Sequence, residues 1–157
     1  MAIQTFRSQT KNAPQEMVQG ITSVSQVADP IYALAIRFYE SKNYPKALRL
    51  MEYLLRSQEP QVKYLRTSAV ILQADQQFEK AIEFYQRAAR LDAGKDPMIS
   101  LGHAQCLVMQ KQYVGALPYL EETRERLKNP AISPSVRNQL LKVFAPLMER
   151  IQELAKK

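Results

Sequence analysis

His103 and Cys106 are the single histidine and the single cysteine of the chain, which makes them the first candidates for proton transfer, metal ligation or nucleophilic attack. Thiol or metal chemistry needs further ligands at fixed spacing, and no second cysteine exists. Cys106, beside Leu107 and one position from Gln105, therefore reads as a small buried apolar residue. His103 sits next to Ala104 at a helix-packing position with no carboxylate close in sequence, so a structural role is expected. The sequence holds no glycine-rich phosphate loop and no Gly-x-Ser-x-Gly turn. Glu121-Glu122 with Arg124-Glu125-Arg126 reads as an exposed helix face laced with ion pairs. The expectation is a protein without enzymatic activity, cofactor or metal.

What these residue types can do well is grip another polypeptide, and a repeat positions them for it. Ala47, Ala81 and Ala116 lie 34 and 35 residues apart, and twelve residues before each stands another alanine: Ala35, Ala69 and Ala104. Small side chains at both places let two antiparallel helices approach closely. An aromatic residue three before the second alanine (Tyr44, Phe78, Tyr113) fits the turn between them. One helix pair per period of about 34 residues is the tetratricopeptide signature. The composition agrees: 46% apolar, no tryptophan, four glycines and many strong helix formers, in a chain of 157 residues that can bury one core.

The frame predicts an all-α fold, three tandem tetratricopeptide pairs in a right-handed superhelix, with an N-terminal helix and a C-terminal capping helix. Residues 1–13 are polar and predicted disordered, and a single domain is expected over 14–157. Within it, a helix is expected over 14–27 and repeats over about 28–61, 62–95 and 96–130. The helix pairs fall at about 30–42 and 45–57, 62–74 and 78–91, and 97–109 and 114–127, with the cap over 134–155. Asp29-Pro30, Asp96-Pro97 and Ser133-Pro134 each read as a capping side chain followed by a proline suited to the first helical turn. Pro118 should kink or delay the sixth repeat helix, and Pro146 should bend the last. Ile31, Leu34, Ala35 and Phe38 make an i, i+3, i+4, i+7 packing stripe.

Counting from the first alanine of each repeat, the inner positions are Asp29, Tyr32, Ile36 and Tyr39; then Lys63, Arg66, Val70 and Gln73; then Met98, Leu101, Gln105 and Val108. So many apolar side chains lining a groove imply a polypeptide that covers them. The net charge of +7 could suggest nucleic acid, but residues 29–61, 62–94 and 95–128 each mix five basic with four acidic residues, and only 129–157 is plainly basic, at +3. A nucleic-acid site needs a clustered stripe, which is missing. The N-terminus lacks a signal-peptide apolar run, no stretch approaches the ~20 apolar residues of a membrane helix, and one cysteine suits a reducing compartment.

Residues 31–45, Ile-Tyr-Ala-Leu-Ala-Ile-Arg-Phe-Tyr-Glu-Ser-Lys-Asn-Tyr-Pro, resemble the first repeat of the class II type III secretion chaperones, roughly Leu-Tyr-x-Leu-Ala-Phe-x-x-Tyr-x-x-Gly-x-Tyr. The stretch from Ala81-Ile82 to Leu91-Asp92, then Asp96-Pro97 and His103-Ala104-Gln105-Cys106-Leu107, is similar to the second and third repeats, so the resemblance spans about 16–155. It implies a bacterial cytoplasmic chaperone that keeps hydrophobic translocators soluble and export-competent, clasping a Pro-x-Leu-x-x-Pro segment in the inner groove. Tyr32, Ile36 and Tyr39 match the family's first-repeat groove positions, with Ile36 in place of phenylalanine. In the other repeats the frame alone carries over. A homodimer is compatible, and a small-molecule substrate, nucleic acid and direct membrane insertion are not expected. The alternative is a repeat scaffold or regulatory adaptor that joins other proteins through its convex surface or its last helix, including Arg137, Lys142 and Arg150.

Overall fold

The computed structural model describes residues 24–57 and 61–157, and among them every regular element is a helix. The expectations for 1–13 and for most of the 14–27 helix lie outside the described residues. In chain order the helices are α1 (Val24–Glu40), α2 (Tyr44–Ser57), α3 (Val62–Ala74), α4 (Phe78–Asp92), α5 (Pro97–Met109), α6 (Tyr113–Leu127) and α7 (Pro134–Ala155). Contacts group the chain into two compact units, Met1–Gln58 and Glu59–Lys157. In the first unit α1 packs on α2. In the second, each helix from α3 to α7 packs on the next, and α3 also touches α5.

The six frame alanines, Ala35, Ala47, Ala69, Ala81, Ala104 and Ala116, are all 0% exposed, so each helix pair closes on small side chains as its spacing requires. The turns inside the pairs share one backbone design. Lys42, Gln76 and Lys111 adopt left-handed φ values of 59, 60 and 61°. The amide that follows each donates five residues back: Asn43 to Phe38 O, Gln77 to Leu72 O and Gln112 to Leu107 O, at 2.8, 2.9 and 2.8 Å. This six-to-one bond satisfies a carbonyl that the helix end would otherwise leave open.

Two of the three Asp/Ser-Pro starts operate as caps. Asp96 accepts the Met98 amide ahead of α5, and Ser133 accepts the Val136 amide ahead of α7. Asp29-Pro30 is different: α1 begins at Val24 and runs through Pro30. Pro30 is exposed, so the carbonyl it deprives of a donor lies on the solvent side. Likewise α6 starts without delay at Tyr113 with Pro118 inside it, and α7 continues past Pro146 to Ala155; both prolines are exposed. The stripe expected on α1 is also only partly packed, since Leu34 remains 41% exposed: α2 covers one side of α1.

Nine of the thirteen residues of α5 are buried, which explains a helix apolar on nearly every side. It is enclosed by α3, α4 and α6, and its Leu101, Ala104 and Leu107 share a core cluster with Ala116, Leu120 and Leu127 of α6. Phe144, Met148 and Ile151 complete that cluster from α7, which closes the end of the second unit as a capping helix must.

Candidate functional site

In the first unit Tyr32, Ile36 and Tyr39 lie four and three residues apart on α1 and are all half-buried. That spacing places them along one side of the helix. The Tyr39 ring leans on Tyr44 at the start of α2, with centroids 6.1 Å apart and planes tilted by 46°. This contact fixes the end of the row, and Tyr32, Ile36 and Tyr39 each keep part of their surface exposed.

The inner positions of the second unit form a different surface. Arg66 of α3 makes an ion pair with Asp96, the cap residue of α5. Lys63 places its ammonium 5.2 Å from the centre of the Tyr64 ring. Gln73 donates to Gln105 Oε1 at 3.1 Å, joining α3 to α5, and accepts the Tyr85 hydroxyl proton at 2.7 Å. Val70 is half-buried between these polar pairs along α3, and Met98 is 39% exposed at the start of α5. Leu101 does not stand open as a groove wall: it is 4% exposed within the core cluster, and Val108 packs against the same cluster. That cluster also takes in Phe144, Met148 and Ile151 from the apolar side of α7.

Arg66 and Met98 also line a cleft of about 670 Å³ in the second unit. Its other walls come from Lys95 and Asp96, from Ile132 in the 128–133 connection, and from Val136 and Leu140 of α7. The opening is mainly apolar with charges at its edge, suited to a side chain of a bound segment.

Neither His103 nor Cys106 is available for chemistry. The His103 ring stacks on Tyr119 with centroids 3.8 Å apart, and burial pushes its pKa down to about 4. The ring is therefore neutral at pH 7. Burial pushes the Cys106 thiol up to about 12, far from the thiolate form that reacts. Among the described residues no group of His, Cys, Asp and Glu is placed to hold a metal ion. No helix among them is long and apolar enough to cross a membrane.

Three structural residues escape the repeat frame. Gly102 faces Tyr85 so closely that a Cβ would lie 2.3 Å from the ring; glycine is what allows Tyr85 to reach Gln73. The signal was a glycine two residues before a frame alanine, where the other repeats have Ala33 and Thr67. Arg126 is buried, donates to the Asp96 carbonyl at 2.9 Å and pairs with Glu122, so it holds the loop before α5. Arg137 donates to the carbonyls of Asn129 and Ile132 at 2.8 and 3.3 Å, which makes it a latch on the connection to α7 instead of a free surface charge.

A tetratricopeptide-repeat family model matches residues 28–56. No curated protein sequence matches the chain. Among solved structures, the Yersinia enterocolitica type III secretion translocator chaperone SycD is 23% identical with a TM-score of 0.78, over 87% of this chain and 98% of that one. The complex of SycD with a peptide of the translocator YopD is 24% identical, with a TM-score of 0.76 over 87% and 98% of the two chains. PcrH from Pseudomonas aeruginosa is 18% identical with a TM-score of 0.73, over 83% and 94%. The Sgt2 tetratricopeptide domain from Aspergillus fumigatus is 19% identical with a TM-score of 0.68, over 82% and 79%. The chain thus has the tetratricopeptide fold of the translocator chaperones, a fold also found in a fungal protein.

Proposed function

We propose that this protein is a cytoplasmic chaperone of a bacterial type III secretion system that holds hydrophobic translocators soluble until export. The observation that carries this reading is the match to SycD over nearly the whole of that chaperone, including a complex in which SycD holds a translocator peptide. The chemistry of the chain is compatible with it. Tyr32, Ile36 and Tyr39 supply an apolar row, and Arg66, Val70, Gln73, Met98 and Gln105 supply a second, more polar surface. Cargo segments that would aggregate exchange water for these side chains, at about 25 cal/mol per Å² of apolar area covered. Ordering costs absorb much of that gain, so a shallow site binds moderately and releases its cargo by competition.

The test is co-expression with a translocator that carries a Pro-x-Leu-x-x-Pro segment. Cargo is expected in the soluble fraction with the wild type and in the pellet with the Tyr32→Ala/Tyr39→Ala variant, whose helicity should be unchanged. Insoluble cargo with the wild type would defeat the chaperone reading, and soluble cargo with the variant would defeat the assignment of the α1 row.

A second reading, an adaptor working through α7, is favoured by one observation: Val136, Leu141 and Val143 are 43, 38 and 45% exposed on that helix. Reversing Lys142 and Arg150 should then weaken partner binding more than the tyrosine changes do.

A further inference from the structure

Tyr85, Gln73 and Gln105 form a hydrogen-bond relay that runs one way. The Tyr85 ring is 1% exposed, and its hydroxyl donates to Gln73 Oε1 at 2.7 Å. A carboxamide has an acceptor on one side and two N–H donors on the other, so fixing the Gln73 oxygen on Tyr85 turns its nitrogen towards α5. That nitrogen donates to Gln105 Oε1 at 3.1 Å. The same logic then applies once more. With its oxygen occupied by Gln73, Gln105 must present its NH₂ group away from α3.

The Gln105 side chain is half-buried, and its amide nitrogen donates to no described residue. It is not sealed in the interior either, since Arg137 Nε is the only buried side-chain nitrogen or oxygen without a partner among the described residues. We infer that Gln105 is a fixed hydrogen-bond donor on the α3–α5 face, positioned to take a backbone carbonyl of an extended polypeptide laid across these two helices. The inference rests on the chaperone reading above and specifies how that site holds its cargo.

A neutral carbonyl fits better than a carboxylate. Of the inner cations on α3, Arg66 is already paired with Asp96, and Lys63 lies ten residues, nearly three helical turns, before Gln73. An anion at Gln105 would therefore lose water without gaining a close counter-charge. Val70 lies three residues before Gln73, and Val108 three after Gln105, each half-buried. By helical spacing they share the face with the amides, giving apolar contact beside a single donor. Extended chains repeat their carbonyls whatever their side chains are, so this end of the site reads backbone and tolerates varied sequences. A folded helix, with its carbonyls consumed internally, would gain nothing from the donor.

The experiment is calorimetric titration of the full chain with a synthetic peptide, acetylated and amidated, carrying one Pro-x-Leu-x-x-Pro motif with alanine at each x. Gln105→Glu keeps the shape and still accepts from Gln73, but has no donor; a roughly tenfold or greater loss of affinity is expected. The peptide carries no net charge, and Gln105→Met, which cannot repel a carbonyl, should show the same loss. Gln73→Glu leaves Gln105 in place but offers it a carboxylate, which pulls the Gln105 NH₂ inward and turns its oxygen out. A comparable loss is expected there, which a purely structural role for Gln73 would not give. Thermal melting checks that the variants fold, and Gln105→Met repeats the donor deletion without charge if the Glu variant does not. Unchanged affinity in Gln105→Glu or Gln105→Met overturns the donor. Loss at Gln105 with none at Gln73 overturns the relay. A wild type that does not bind the peptide overturns the chaperone reading and this inference together.

Discussion

On α1 the inner positions of the repeat hold Tyr32, Ile36 and Tyr39, an apolar row steadied by the Tyr39–Tyr44 contact. On α3 and α5 the same positions hold an ion pair, two glutamines bonded to each other and a leucine drawn into the core. Equal places in the repeat therefore carry unequal chemistry. The helix-pair geometry is maintained by buried alanines and by turns of identical design, which leaves the inner side chains free to diverge. One surface offers contact area without direction; the other offers direction with little area.

The largest expected effect comes from breaking the polar surface at its root. Gly102→Ala would push a methyl group into the Tyr85 ring, so the ring must leave and the bond to Gln73 goes with it. Overpacking of up to ~3 kcal/mol plus a lost hydrogen bond of ~1 kcal/mol gives about 4 kcal/mol, readable by urea denaturation. The substitution leaves every α1 side chain unchanged, so the two surfaces are separated by one experiment.

Acid should act nearly as strongly, again on the second unit. His103 titrates at about 4 in the fold and near its ordinary 6.5 when unfolded. The fold thus favours the neutral ring, so this contribution is complete above pH 6.5 and declines as pH falls towards 4. On the order of 3 kcal/mol is expected to disappear across that window. His103→Phe keeps a ring against Tyr119, and its stability should be correspondingly flatter with pH than that of the wild type.

A smaller loss tests the hub at Asp96. Asp96→Ala removes both the cap on Met98 and the partner of Arg66, for about 2 kcal/mol by chemical denaturation. Asp96→Asn, which retains a capping oxygen, should recover about half of it. The smallest effect has the opposite sign and tests the sameness of the turns. Lys42→Gly and Lys111→Gly relieve left-handed strain and should each stabilise by ~0.5–1 kcal/mol, by similar amounts in the two units. Unequal responses would show that the turns share φ values without sharing energetics.

Sequence spacing was a good guide where one residue type answers one geometric demand. Alanine at a close helix crossing is such a case, as are the serine and aspartate that cap α7 and α5. It failed where the outcome depends on neighbours from elsewhere in the chain. Asp29-Pro30 has the same local pattern as Asp96-Pro97, yet a helix already under way at Val24 carries through it. Leu101 has the register of a groove residue, yet it is buried in the cluster that α5 shares with α6 and α7. The directionality of Gln73 and Gln105 was equally invisible, because it originates in a tyrosine hydroxyl on another helix.

Cys106 gives the second unit a built-in chronometer. Because the thiol is wholly enclosed in α5 and held near pKa 12, it answers a labelling reagent only during moments when that helix comes away from its neighbours. With no other cysteine to compete, each modified molecule marks one such excursion. The pace of labelling, with and without cargo, thus measures how far an occupant quiets the helix beneath it.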